Sequence, residues 1–190
     1  ALWDMGLEIG HSVRTVDECM IAAADDITVQ TSLLEARLLT GSNPLFGELL
    51  TRYRETLDVR AFYKAKLLEQ EQRYARFNET PYALEPNCKE SPGGLRDLQM
   101  LGWIARAAGL GFSWRDLARR RLITASEASE LRNVERFLQH LRIRLHYLTG
   151  RAEDRLLFDH QEKIARVLDI EPTATRRTSE VLMQRYYVTA

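Results

Sequence analysis

Cysteine is nearly absent from this chain: Cys19 and Cys88 are the only two in 190 residues. They have no C-x-x-C spacing and no nearby histidine pair, which excludes a disulfide framework and a zinc site of the usual spacing. An excess of either charge is also missing, with 27 Lys+Arg against 27 Asp+Glu. That neutrality removes the simplest argument for nucleic acid or a membrane surface as partner, so any phosphate-binding site must be local. No apolar run is long enough to cross a bilayer, and the first residues lack the basic region and apolar core of a secretion signal. A cytoplasmic protein with no membrane and no nucleic acid among its partners is the expectation. An initiator methionine is missing as well, and Ala1-Leu-Trp-Asp4 already reads as structured sequence, as in a piece of something longer.

What is present is mostly helical. Residues 2–9 are the exception: Trp3, Met5, Leu7 and Ile9 alternate with Leu2, Asp4, Gly6 and Glu8, the period-two pattern of a strand with one buried face. A lone strand leaves its backbone groups unpaired, so the rest of its sheet is expected outside this chain. Beyond Gly10, Thr15–Glu18, Thr124–Glu127 and Asp159–Glu162 each place a capping residue three positions before Glu. Asn43-Pro44 reads as an N-cap with proline at the first helical position, and Ser113 with Asp116 as a weaker start. Gly41, Gly109, Gly111 and Gly150 mark stops.

Between these marks Tyr63, Leu67, Gln70, Tyr74 and Phe77 form one stripe, and Leu131, Val134, Leu138, Leu141, Leu145 and Leu148 form a second. Both read as bundle seams, with Arg132, Arg136, Arg142 and Arg144 on solvated or groove-lining sides. Further helices are predicted near 16–25, 27–39, 44–57, 94–108, 114–120, 160–168 and 176–189. The fold class is therefore mainly α: a helical bundle over 15–190, preceded at 1–14 by one strand and loop.

The least ordinary stretch is Glu85-Pro-Asn-Cys-Lys89-Glu-Ser-Pro-Gly93-Gly94-Leu-Arg96-Asp97. Paired glycines allow close approach to a ligand, a helix N-terminus favours an anion, and Lys89 and Arg96 suit phosphate. A tight turn whose glycines satisfy only backbone geometry, with Arg96 and Asp97 in structural ion pairs, has the same spelling.

Three separated motifs carry a family resemblance. Leu2-Trp-Asp4-Met-Gly-Leu-Glu8-Ile-Gly-His11-Ser12-Val-Arg14-Thr15, then Leu84-Glu-Pro86 with Lys89 and Ser91-Pro92-Gly93-Gly94-Leu-Arg96-Asp97, then Asp154-Arg155-Leu-Leu-Phe-Asp159 resemble the bifunctional uridylyltransferase/uridylyl-removing enzymes of bacterial nitrogen control. The resemblance extends over essentially the whole chain. It implies the end of a nucleotidyltransferase domain, whose α/β sheet the strand is left from, and the helical domain that follows. The related adenylyltransferase of glutamine synthetase has a similar strand and turn, but the spelling here is closer to the uridylyltransferase.

The resemblance implies transfer of UMP from UTP to a tyrosine of the signalling protein PII, with a separate hydrolytic domain removing it. Two further metal-binding aspartates are expected before Ala1 and the hydrolase after Ala190, so the isolated chain is expected to be inactive; no His-Asp doublet occurs in it. Nucleotidyl transfer needs carboxylates that hold divalent cations against the triphosphate, here Mg2+. Asp4 matches the third of these carboxylates and is the expected catalytic and metal-binding residue. Glu8 stands roughly 13 Å further along an extended strand at about 3.3 Å per residue, too far to share the ion. Lys89, Gly93, Gly94, Arg96 and Asp97 are the expected nucleotide-binding wall, joined by Arg14, whose fork suits phosphate, and by His11. For His11 a backbone hydrogen bond in the turn is the competing role. The competing function is a helical module that docks PII or links domains without touching UTP.

Overall fold

Capping chemistry sets most of the helix boundaries. The computed structural model describes residues 10–77, 80 and 82–190. The expected strand over residues 2–9, with Asp4 and Glu8, lies outside the described residues. Nine α-helices occur among those described, and the chain divides into two compact units, Ala1–Asp58 and Val59–Ala190. The fold is mainly α.

The first unit holds α1 (Val16–Asp25), α2 (Ile27–Leu34) and α3 (Asn43–Thr56). Thr15 and Glu18 form the expected reciprocal box, the Thr15 amide donating to Glu18 at 2.7 Å and the Glu18 amide to the Thr15 hydroxyl at 3.2 Å. The Thr15 amide, with the Thr15 hydroxyl also donating at 3.0 Å, holds the Glu18 carboxyl below its ordinary value. Asp26 ends α1 and caps α2, accepting from the Thr28 amide at 2.6 Å. α2 stops at Leu34, five residues short of the predicted end, although the residues that follow, Glu35-Ala-Arg-Leu-Leu39, are strong helix formers. The cap of α3 is Ser42, not Asn43, which moves Pro44 to the second helical position. Tyr53 is the buried centre of this unit, its hydroxyl donating to the Gln30 carbonyl at 2.8 Å.

The second unit holds α4 (Val59–Arg76), α5 (Leu95–Ala107), α6 (Trp114–Arg119), α7 (Ala125–Thr149), α8 (Phe158–Val167) and α9 (Thr178–Thr189). Thr124–Glu127 closes the second expected box at the start of α7, and Ser113 caps α6. Gly150 ends α7 in the left-handed region at φ 67°, where a side chain would be strained. The core forms around α7, where Leu138, Leu141 and Leu145 are fully buried against Cys88, Leu95, Leu156, Ile164, Leu182 and Tyr186. This is the predicted long seam, with Leu131 and Val134 partly buried beside it and Leu148 outside.

Two expectations are corrected here. Asp159 does not cap α8: the helix begins at Phe158, and Glu85, 73 positions away in sequence, accepts its first amide at 2.8 Å. On α4 the buried line is Phe62, Lys66 and Arg73, one position off the apolar stripe that begins at Tyr63. Apolar periodicity points to the border of the buried face, where Leu67, Gln70, Tyr74 and Phe77 are part-buried, because two of the three buried side chains are cationic.

Candidate functional site

The Lys89–Asp97 turn is built by its own backbone. Asn87 starts it, its side-chain oxygen accepting from the Lys89 and Glu90 amides at 3.0 and 2.8 Å. The chain then doubles back: the Leu95 amide donates to Cys88 at 3.0 Å, Arg96 to Lys89 at 2.8 Å, and Gly94 to Ser91 at 2.8 Å. Gly94 serves as N-cap of α5 without a side chain, and a Cβ there would press on the Lys89 and Ser91 carbonyls at 2.8 Å. At Gly93, φ is 75° and a Cβ would overlap the backbone of Ala190 at the end of α9. Both glycines are thus required by the turn and its packing.

Asp97 ties this turn to α4. Its carboxylate accepts from the Gly93 amide at 2.7 Å, the Tyr74 hydroxyl at 2.7 Å, the Gln70 amide at 3.2 Å and the Arg73 guanidinium. Arg73 also donates to the Glu90 carbonyl at 2.8 Å. Burial, with the bond to Asp97 added, pushes the Tyr74 hydroxyl up to about 12. The amides that sequence alone left open to an anion therefore already have acceptors within the chain.

Lys89 and Arg96 remain part-exposed at the surface of this turn and share one carboxylate. The Glu90 side chain lies 3.3 Å from Lys89 and 3.0 Å from Arg96. Burial alone would raise the Glu90 carboxyl, but the Arg96 and Lys89 contacts outweigh it and hold it below the ordinary value. Arg96 also donates to Gln99 at 3.0 Å and lies over the Trp103 ring, 5.4 Å from its centroid.

The segment from Asp154 onward, which sequence places far away, packs directly against the turn. The Cys88 amide donates to the Asp154 carbonyl at 2.8 Å, Asn87 pairs antiparallel with Arg155, and the Leu156 amide donates to Pro86 at 2.9 Å. The Asp154 carboxylate accepts from Arg142 at 2.6 Å, meets His146 at 2.8 Å and stands 4.0 Å from Lys89. Burial opposes ionisation of Asp154, yet these partners hold its carboxyl below the ordinary 3.8. Burial pushes the neighbouring Cys88 thiol up to about 12, an inert state.

The structure so brings together Lys89, Gly93, Gly94, Arg96 and Asp97. His11 and Arg14 belong to the first unit, in the exposed segment before α1, and Asp4 lies outside the described residues. Among the described residues no group of three or more His, Cys, Asp or Glu side chains could hold a metal. Arg73, Glu90, Arg142, His146 and Asp154 were not singled out from sequence as site residues. The usable signal was the i,i+4 spacing of Arg142 and His146 on α7, which aims both at one carboxylate.

The family model for GlnD PII-uridylyltransferase matches residues 61–190, nearly the whole of the second unit. The bifunctional uridylyltransferase/uridylyl-removing enzyme of Aromatoleum aromaticum is 75% identical over all 190 residues. Those of Burkholderia mallei and Burkholderia pseudomallei are 60% identical over 185 residues, or 97% of the chain. The chain spans 22% of the length of each of these relatives. No solved structure matches it. On the family match and on identity of this extent, the chain belongs to the GlnD PII-uridylyltransferase family.

Proposed function

We propose that this chain is the helical segment of a cytoplasmic enzyme that transfers UMP from UTP to a tyrosine of PII and removes it in a separate hydrolytic domain. In this reading the Lys89–Asp97 turn forms one wall of the nucleotide cleft. The observation that carries it is the sharing of Glu90: two part-exposed cations lean on one carboxylate. An arriving triphosphate would offer Lys89 and Arg96 more oxygens than Glu90 does, at a helix N-terminus whose dipole favours the same charge. Gly93 and Gly94 let the turn close, Asp97 fixes it on α4, and Lys89 and Arg96 meet the phosphates. Asp4 as a magnesium-binding carboxylate, and Arg14 and His11 near the nucleotide, enter on the resemblance alone. The relatives' uridylyl names favour UTP over ATP.

The bonded state of the turn's amides favours a second reading, a helical module that docks PII or links domains without touching UTP. Arg96→Ala in the full-length enzyme separates the two. Loss of one charge-assisted phosphate contact is worth about 1.5–3 kcal/mol, so KM for UTP should rise or turnover should fall by roughly ten- to hundredfold. Affinity for PII and removal of UMP should be unchanged. A lowered melting temperature with normal UTP kinetics in the folded fraction would instead make Arg96 a structural partner of Glu90 and Gln99.

A further inference from the structure

Whole-chain neutrality conceals a local excess. Between Trp114 and Arg151 stand nine arginines, no lysine and four carboxylates, and from Arg136 to Ala152 there is no acidic residue. Helical register gathers part of this excess on one face. Arg132, Arg136, His140 and Arg144 recur every fourth position along α7, opposite the buried Leu138, Leu141 and Leu145, and all four are exposed. At 1.5 Å per residue the row runs about 18 Å. The adjoining α6 and the turn after it add exposed Arg115, Arg120 and Arg121.

Other arginines of the region are paired: Arg142 with Asp154, Arg119 with Asp116, Arg151 with Glu153. Arg132, Arg136 and Arg144 have no hydrogen-bond or ion-pair partner among the described residues. Like charges four apart repel by about 0.2–0.5 kcal/mol per pair, so Arg132 and Arg136 weaken the helix that carries them. Ile143 and Tyr147 lie beside the row, 50% and 81% exposed. Arginine and tyrosine without lysine is the composition enriched in protein interfaces.

We propose that this arginine face of α7 docks a carboxylate-rich surface of a separate protein, which on the transferase reading above is the PII acceptor. Two apolar side chains are few for a large permanent interface, since such interfaces are more apolar. A dense, unpaired positive row instead suits a transient partner, whose encounter it accelerates. Ile143 beside the row gives a protein partner an apolar contact that a nucleic-acid backbone would not use.

The test is the double reversal Arg136→Glu/Arg144→Glu in the full-length enzyme, with Arg136→Lys/Arg144→Lys as the charge-preserving control. The reversal should raise KM for PII about tenfold or more at low salt, with the gap closing at high salt. KM for UTP and the melting temperature should stay at the parent values, and the lysine pair should keep most of the PII affinity. Unchanged KM for PII in an enzyme that transfers UMP normally would overturn the docking face. So would a lowered melting temperature, which marks a face packed on the enzyme's own domains, or binding of a 20-bp RNA duplex that the reversal abolishes while PII kinetics stay unchanged. If the unmodified enzyme transfers no UMP, the transferase reading falls. Binding of fluorescently labelled PII to the parent and reversed proteins then still decides the face.

Discussion

Around α7, Leu138, Leu141 and Leu145 are sealed by Ile164, Leu182 and Tyr186, whereas α4 turns the buried Lys66 toward α5 and the buried Arg73 toward the glycine turn and the part-buried carboxylate of Asp97. The first seam is held by apolar burial, which is non-directional and tolerates small shifts. The second depends on direction. Four donors from two places in the chain, α4 and the turn, converge on the two oxygens of Asp97. Lys66, on the same face, is held between the Phe62 and Trp103 rings, 5.6 and 4.8 Å from their centroids, with Glu69 at 2.8 Å. The difference teaches where rigidity lies: the apolar seam supplies bulk stability, and the charged seam fixes the atoms of the turn that presents Lys89 and Arg96.

Asp97→Asn should break this contrast most severely. It leaves the Arg73 cation, which is nine-tenths buried, with only Glu90 at 4.0 Å as counter-charge while keeping the side-chain volume. Breaking a buried pair by removing one partner costs about 3–5 kcal/mol. Urea melts measure it, and a loss below about 1 kcal/mol would mean that water reaches Arg73 and the charged seam is not a structural element. Adding Arg73→Met should recover part of the loss but not all, because Tyr74 and Gly93 also need the Asp97 oxygens.

Leu141→Ala on the other seam should cost about 2–5 kcal/mol, as expected for a fully buried leucine whose neighbours cannot close the cavity. The two losses should differ in kind. Leu141→Ala should lower stability while leaving UTP kinetics of the folded enzyme alone, since its contacts are with the core. Asp97→Asn should also raise KM for UTP, since it loosens the turn. Equal kinetic effects from both would erase the division between bulk and positioning seams.

The apolar seam was legible in sequence because burial and periodicity coincide there: the spacing of Leu131 to Leu145 along one helix is a direct consequence of one face meeting a core. On α4 the same reasoning pointed to Tyr63, which is 45% exposed, because it weighs hydrophobicity and the buried face carries Lys66 and Arg73. The turn was recognisable from its glycines, whereas its close approach to Asp154 was not. That its amides are already bonded could not be read, since the acceptor of the Gly93 amide is a side chain four residues later and the Cys88 amide bonds the carbonyl of Asp154. Caps show the same division. Thr15 and Thr124 act on amides three residues away and are visible in a short window, whereas the cap of α8 comes from another part of the chain.

That last cap gives the smallest expected effect and the sharpest test of local against long-range determination. Leu157 precedes α8 and has no side-chain acceptor, so the Phe158 amide depends on Glu85, whose own carbonyl accepts from Arg155 at 3.2 Å. Glu85→Ala should therefore cost what a lost N-cap costs, about 0.5–2 kcal/mol. Asp159→Ala should cost less, because a carboxylate in the first turn contributes only through the helix dipole, about 0.3–1 kcal/mol at an exposed position. Chemical denaturation of both variants beside Thr124→Ala, a local cap of ordinary strength, places them on one scale. If Asp159→Ala is the costlier of the two, α8 is governed by its local capping box, and the contact between the Glu85 segment and the Asp154–Phe158 segment holds the turn without starting the helix.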